Sequence, residues 1–158
     1  MVAIGESAAN VQNPVERLFD LVQAAQAALE IGHNEQAGKF ANDSLRAMDE
    51  YREQLGSLAG YTMFYANLVL GRLALLNDDI PKAQQFLLLA GRTPGSPALS
   101  TFGPNMSLAR ELLKRGRRNA VLQFFTECEA FWKDRRLDAW ITQVQNGQLP
   151  IFGGNLRH

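Results

Sequence analysis

The stretch Y-A-N-L-V-L-G-R-L-A-L-L-N-D-D-I-P-K-A-Q-Q-F-L-L-L-A-G-R-T-P, from Tyr65 to Pro94, sets two apolar runs on either side of a tight polar turn. Within it Gly71, Ala83 and Ala90 stand twelve and seven residues apart, with Asp78-Asp79 between the first two. Small residues at such steps let two antiparallel helices approach closely, because no side chain holds the backbones apart where they cross. Asp79 can cap the second helix, and Pro81 falls in its first turn, where the missing N–H removes no helical bond. Phe86 to Leu89 are consecutive apolar residues. At about 100° per residue they cover most of the circumference, which predicts neighbours on several sides.

The same interval recurs on both sides. Asn13 and Pro14 make a cap and a first turn, and Val15, Leu18, Leu21, Val22, Ala25 and Leu29 recur at three and four residues, predicting a helix to about Ile31. Gly32 stops it, Asn34 can cap its successor, and that helix is predicted to reach about Leu55. Ala25, Ala37 and Ser44 repeat the steps of twelve and seven, and Leu108, Ala120 and Glu127 echo them with Gly116 at the turn. A short helix over about 105–115 and one over about 118–132 complete that third pair. Cys128 is then a small core residue among Val121, Phe124, Phe125, Phe131 and Trp132. An amphipathic helix over 135–146 follows through Leu137, Trp140, Ile141 and Val144. The expected fold class is therefore all-α, with antiparallel helix pairs over about 14–55, 57–91 and 105–132.

These spacings resemble the tetratricopeptide repeat, whose small residues lie at the same intervals and whose unit ends near a proline. The resemblance implies a short superhelix of stacked pairs, with 135–146 as its capping helix. It departs from the family at Asn67, where a large residue is usual. The unit length departs too: Ala37, Ala83 and Ala120 lie 46 and 37 residues apart, against a regular period of about 34. The stretch S-T-F-G-P-N-M-S-L and the ending L-P-I-F-G-G-N-L also resemble small bacterial proteins of this helical type, which implies a fold and no activity. In tetratricopeptide proteins the first helix of each pair lines a concave groove. Tyr61, Tyr65, Leu68 and Arg72 follow i, i+4, i+7, i+11 on one stripe, opposite Gly71 and Ala74, so the resemblance implies that these four bind a partner.

With 158 residues and 46% hydrophobic content, the chain is expected to form one domain over 14–147, after a lead-in at 1–13 and before a tail at 148–158. Sixteen basic and sixteen acidic residues cancel overall but not locally. Met1 to Gly91 holds six basic and eleven acidic residues, 6 − 11 = −5, and Arg92 to His158 holds ten and five, 10 − 5 = +5. One cysteine excludes an internal disulfide and favours a reducing, cytoplasmic setting. The twenty residues from Ser57 to Leu76 are long enough for a membrane span. Arg72 alone would cost roughly 2.5–3.5 kcal/mol there, and Gly60, Tyr61, Thr62 and Asn67 dilute the apolar gain, so no span is expected. The segment 92–104 is rich in Pro, Gly and Ser and is expected to be loop, tucked down by Leu99 and Phe102. The tail from Leu149 to Gly154 is expected to be non-helical and to fold back on the body.

No catalytic constellation assembles. His33 falls in a predicted turn and His158 at the end, so no metal or cofactor set has ligand spacing. The pairs Asp49-Glu50 and Asp78-Asp79 are adjacent and do not converge as an acid and a base would. A basic cluster of Arg110, Lys114, Arg115, Arg117 and Arg118 gathers around one turn and is the alternative, phosphate-binding site. No stacking aromatics interleave with it, so nucleic acid ranks below a protein partner. The sequence thus favours a non-enzymatic scaffold that binds a peptide or helix of another protein, with self-pairing through the apolar middle helices as a further expectation. Nucleic-acid binding at 110–118, and an enzyme whose site has no recognisable motif, are the alternatives.

Overall fold

Asn13 opens the first helix by accepting a hydrogen bond from the Glu16 amide at 2.8 Å, and Pro14 follows in the first turn. The computed structural model describes residues 13–157, so the expected lead-in lies outside the described part apart from Asn13. Helix α1 (Pro14–Glu30) buries Leu18, Val22, Ala25 and Ala28. Gly32, at φ +81°, turns the chain, and α2 (Asn34–Glu50) begins one residue earlier than Asn34 as cap would require. His33 stands in the cap position and makes no side-chain bond there. The predicted run to Leu55 is broken at Tyr51; α3 (Arg52–Leu55) is a separate single turn whose Leu55 is buried.

Helix α4 (Ser57–Leu76) is the centre of the molecule: it packs against α1 and α2 on one side and α5 (Ile80–Gly91) on the other. The α4–α5 turn has Asp78 at φ 56°, and Asp79 accepts the Lys82 amide at 3.2 Å. Gly71 is wedged between Phe86 of α5 and Leu108, where an added Cβ would collide with the leucine side chain. Helix α5 has the neighbours on several sides that its apolar run predicts, namely α4 and the helices over Ser107–Lys114 and Arg118–Cys128, but its coverage is uneven. Leu87 is buried, but Phe86 and Leu88 are only half-covered and Leu89 faces solvent.

The segment expected to be loop contains a helix, α6 (Pro97–Phe102). Ser96 is extended and its hydroxyl accepts the Leu99 amide at 3.2 Å, while Pro97 supplies a φ already set for the first turn. Leu99 is buried, whereas Phe102 is mostly exposed. Before α6 the chain runs against the start of α4. Thr93 Oγ1 donates to the Gly60 carbonyl at 2.6 Å and accepts the Gly95 amide at 3.1 Å. A Cβ on Gly60 would strike the Gly95 carbonyl, so the two backbones touch only because residue 60 is glycine.

The third pair is shorter than predicted: α7 (Ser107–Lys114) and α8 (Arg118–Cys128), followed by α9 (Arg135–Gln145). Helix α8 stops at Cys128, not Trp132, and Phe131 and Trp132 bond back to the Cys128 carbonyl in a turn while remaining buried. Helix α8 packs on α5 and α9 on α8. The tail, expected to be non-helical, makes a single 3₁₀ turn (Gly153–Leu156) and folds back. Asn155 fastens it: its amide donates to the carbonyls of Phe102 at 3.1 Å and Pro104 at 3.2 Å, and its own carbonyl accepts the Met106 amide at 2.6 Å. Among the described residues there are nine α-helices and no strand, which makes the protein all-α.

Two apolar clusters fill this framework. The larger is aromatic: Phe64 lies 5.0 Å from Tyr65, 6.3 Å from Phe124 and 6.4 Å from Phe131, and Phe125 carries the contact on to Trp140 and Phe152. The smaller joins α1, α2 and α4 through Ala25, Ala28, Ala37, Ala41 and Ala66, with Val69 and Leu70. No helix among the described residues is long and apolar enough to cross a membrane.

Candidate functional site

The stripe on α4 is open at its ends and closed in its middle. Tyr61 is half-buried; its hydroxyl accepts Gln23 Nε2 at 2.8 Å, and its ring stacks on the exposed ring of Phe19 from α1 at 6.3 Å. Tyr65 lies 4.6 Å from Tyr61 and keeps only 6% of its surface; Leu68 keeps 4%. The expectation of one continuous accessible stripe is thus corrected at Tyr65 and Leu68, which belong to the core because α1 lies directly against α4. Burial, and then the neighbouring Tyr61 phenol, push the Tyr65 hydroxyl pKa well above its usual value, so it stays protonated.

Arg72, half-buried at the far end of the stripe, borders a depression of about 370 Å³. Leu29 and Glu30 of α1, Leu75 and Leu76 of α4, and Glu111 and Arg115 near the end of α7 form its other walls. Three helix ends therefore meet around one guanidinium. Arg72 makes no hydrogen bond or ion pair among the described residues.

The basic cluster does not form one surface. Glu111 takes up part of its charge: Lys114 Nζ lies 3.3 Å and Arg110 Nε 4.0 Å from the same carboxylate oxygen, and Arg115 Nη1 donates to the Glu111 backbone carbonyl at 3.2 Å. Arg115 faces the Arg72 depression, whereas Arg118 and Lys114 face a second hollow of about 300 Å³ toward Gly147, Gln148 and Leu149. Arg117 and Arg118 are exposed on either side of the α8 start.

Elsewhere, Asp134 accepts from the Arg136 backbone amide and from its guanidinium at 2.8–2.9 Å, and these hydrogen bonds hold its carboxyl at about 2 against an ordinary 3.8. The same guanidinium lies 5.0 Å over the Trp132 ring. Cys128 is buried and its thiol is pushed up, first by burial and then by the charges of Glu127 and Glu129. That is the opposite of an activated nucleophile. Among the described residues no three His, Cys, Asp or Glu side chains gather as metal ligands. The exposed pair Leu149 and Ile151, and the buried Asn155, were not singled out by sequence reasoning. The alternation L-P-I-F was the only available signal for the first two, and nothing in a Gly-rich tail marked the third.

Set against family models, curated proteins and solved structures, the chain gives no match. The class that its own geometry defines is an all-helical protein built around one central helix, α4, with two helices against one side and α5 against the other.

Proposed function

We propose that the chain is a non-enzymatic scaffold whose helix pairs stack in the tetratricopeptide manner and take up a peptide or helix of another protein on the first-helix face. The packing order of the first two units supports the stack, since α4 meets both α1 and α2 as the first helix of a second unit would. The observation that carries the binding role is Arg72: a guanidinium with no hydrogen bond or ion pair among the described residues, set beside Leu29, Leu75 and Leu76, with Glu30 and Glu111 farther along the walls, at a place where three separate helices end. Such a site selects a segment with a carboxylate next to an aliphatic side chain, because the charge fixes register while the apolar walls supply burial. Of the four expected residues, Tyr61 and Arg72 carry this role; Tyr65 and Leu68 hold α4 in place beneath them. A cytoplasmic setting accompanies this reading, since the single thiol is a core residue.

Display selection of peptides on the full-length chain tests the proposal. Enriched peptides are expected to carry Asp or Glu beside Leu, Ile or Val, and Arg72→Glu is expected to weaken them at least about tenfold. Enrichment indifferent to both Arg72→Glu and Tyr61→Ala sinks it. The nucleic-acid alternative takes first place if RNA or DNA binds with a steep salt dependence that Arg117→Ala with Arg118→Ala removes.

A further inference from the structure

We propose that the C-terminal tail is a docking knob for the first helix of a second copy of this chain, so that copies associate head to tail. Along Leu149-Pro150-Ile151-Phe152 the side chains alternate in burial. Pro150 and Phe152 are buried, while Leu149 is 48% and Ile151 91% exposed. The segment is anchored from beneath, by the Phe152 ring 4.9 Å from Trp140 and by the Asn155 hydrogen bonds just beyond it. Ile151 therefore contributes almost no burial to the fold, yet is presented by a fixed backbone, which lowers the ordering cost of a contact. Cations rim the pair. Leu149 shares one hollow with Lys114 and Arg118 and a second, of about 400 Å³, with Arg136, Trp140 and Ile151.

The complement of this knob lies on α1, far from it along the chain. Val15 (38% exposed) and Phe19 (47% exposed) are one turn apart on one face of α1, and the exposed carboxylate of Glu16 stands beside them. Charge agrees over longer range. Residues 13–56 hold four basic and eight acidic side chains, 4 − 8 = −4, and residues 107–157 hold nine and five, 9 − 5 = +4. Helix α1 packs on α2, α3 and α4, and α9 on α8, so the two patches stand at opposite ends of the helix order. Two different patches meeting make a heterologous contact, which repeats from copy to copy. A second copy fits better than an anionic lipid surface, because the acidic and aromatic complement is present on the chain itself. The knob itself lies apart from the Arg72 depression, whereas Phe19 on α1 stacks on Tyr61, so Ile151→Asp is the variant that tests self-association without touching the proposed peptide site.

The test is the mass of the purified full-length chain by sedimentation and light scattering from low to high micromolar concentration. The wild type is expected to grow past a dimer with concentration and to shrink with added salt. Ile151→Asp and Phe19→Ser, both at exposed positions and checked for helicity by circular dichroism, should each weaken association at least about tenfold. Val15→Ser serves as a second α1 variant. An equimolar mixture of Ile151→Asp and Phe19→Ser should give a two-chain species and nothing larger, since only one intact knob and one intact α1 face can meet. A wild type that stays monomeric, a dimer that never grows, or a mixture that stays monomeric overturns the proposal. So does a monomer that binds vesicles containing phosphatidylserine through Ile151, an outcome that assigns the knob to a membrane.

Discussion

Replacing Asn155 by Ala should loosen the tail's hold on the segment before α7 while Phe152 keeps it docked, and the cost can be worked from the contacts. Asn155 is 1% exposed, and its amide donates to the Phe102 and Pro104 carbonyls at 3.1 and 3.2 Å. Its side-chain oxygen accepts Arg136 Nη1 at 3.3 Å. The Arg136 bond is partly solvated and is replaced by water at little cost, so the two carbonyl bonds dominate. A typical net hydrogen bond contributes about 0.5–1.5 kcal/mol, and a buried acceptor left without a donor costs about 1–3 kcal/mol. Pro104 is buried and its carbonyl bears the larger penalty, whereas the Phe102 carbonyl can regain water. The expected loss is about 2–4 kcal/mol, or a fall in melting temperature of about 5–15 °C for a domain of this size. Urea unfolding measures the loss, with the m-value unchanged because the surface exposed on unfolding is the same. Hydrogen exchange at the Met106 amide, which donates to the Asn155 carbonyl at 2.6 Å, should accelerate in parallel. A loss below about 0.5 kcal/mol, with Met106 still protected, would refute the view that Asn155 fastens the tail.

Gly60→Ala should cost about 3 kcal/mol, at the upper end for overpacking, because the group struck is the Gly95 backbone; Gly32→Ala, with open space around it but φ +81°, should cost only about 1 kcal/mol by the same denaturation assay. Cys128 should react with a disulfide reagent at pH 8 only as fast as the protein opens, so that its rate rises with urea; immediate reaction of the native thiol would contradict its burial. The Asp134 carboxyl is depressed, so its contribution is present above the ordinary 3.8 and is lost as pH falls through about 2. The stability difference between the wild type and Asp134→Asn, below about 1 kcal/mol for so exposed a pair, should therefore be full at pH 5 and absent near pH 2.

The helices were legible where local chemistry and periodicity agreed. Asn13 with Pro14 and Asp79 with Pro81 marked two helix starts, and Gly71 sits in a close crossing between Phe86 and Leu108. The sequence misled where composition was set against one specific cap. Pro97 read as a breaker, but behind an extended Ser96 it begins α6, and burial of Leu99 holds that turn in place. Periodicity put Tyr61, Tyr65, Leu68 and Arg72 on one face correctly, yet it carries no information on how near the next helix lies. Only the packing of α1 on α4 separates the buried Tyr65 and Leu68 from the half-open Tyr61 and Arg72. The Asn155 contacts join residues 51 and 53 positions apart, and a single polar side chain in a non-periodic tail gives no signal at that range.

The alanine cluster between α1, α2 and α4 has a consequence for how firmly the molecule holds together along its length. Ala25, Ala28, Ala37, Ala41 and Ala66 let the helices close up, but each methyl group removes little apolar surface from water, whereas the rings around Phe64, Phe124 and Trp140 remove several times as much. From α1 and α2 only Leu18, Val22 and Met48 are buried members of that aromatic cluster. Cohesion is therefore graded, and the first pair is the part that can detach while α4, α5 and α8 remain folded. In native-state hydrogen exchange the amides of α1 and α2 would then form the earliest-opening unit. Since Phe19, Glu30 and one wall of the Arg72 depression ride on α1, whatever α1 grips is held by the most yielding segment of the molecule.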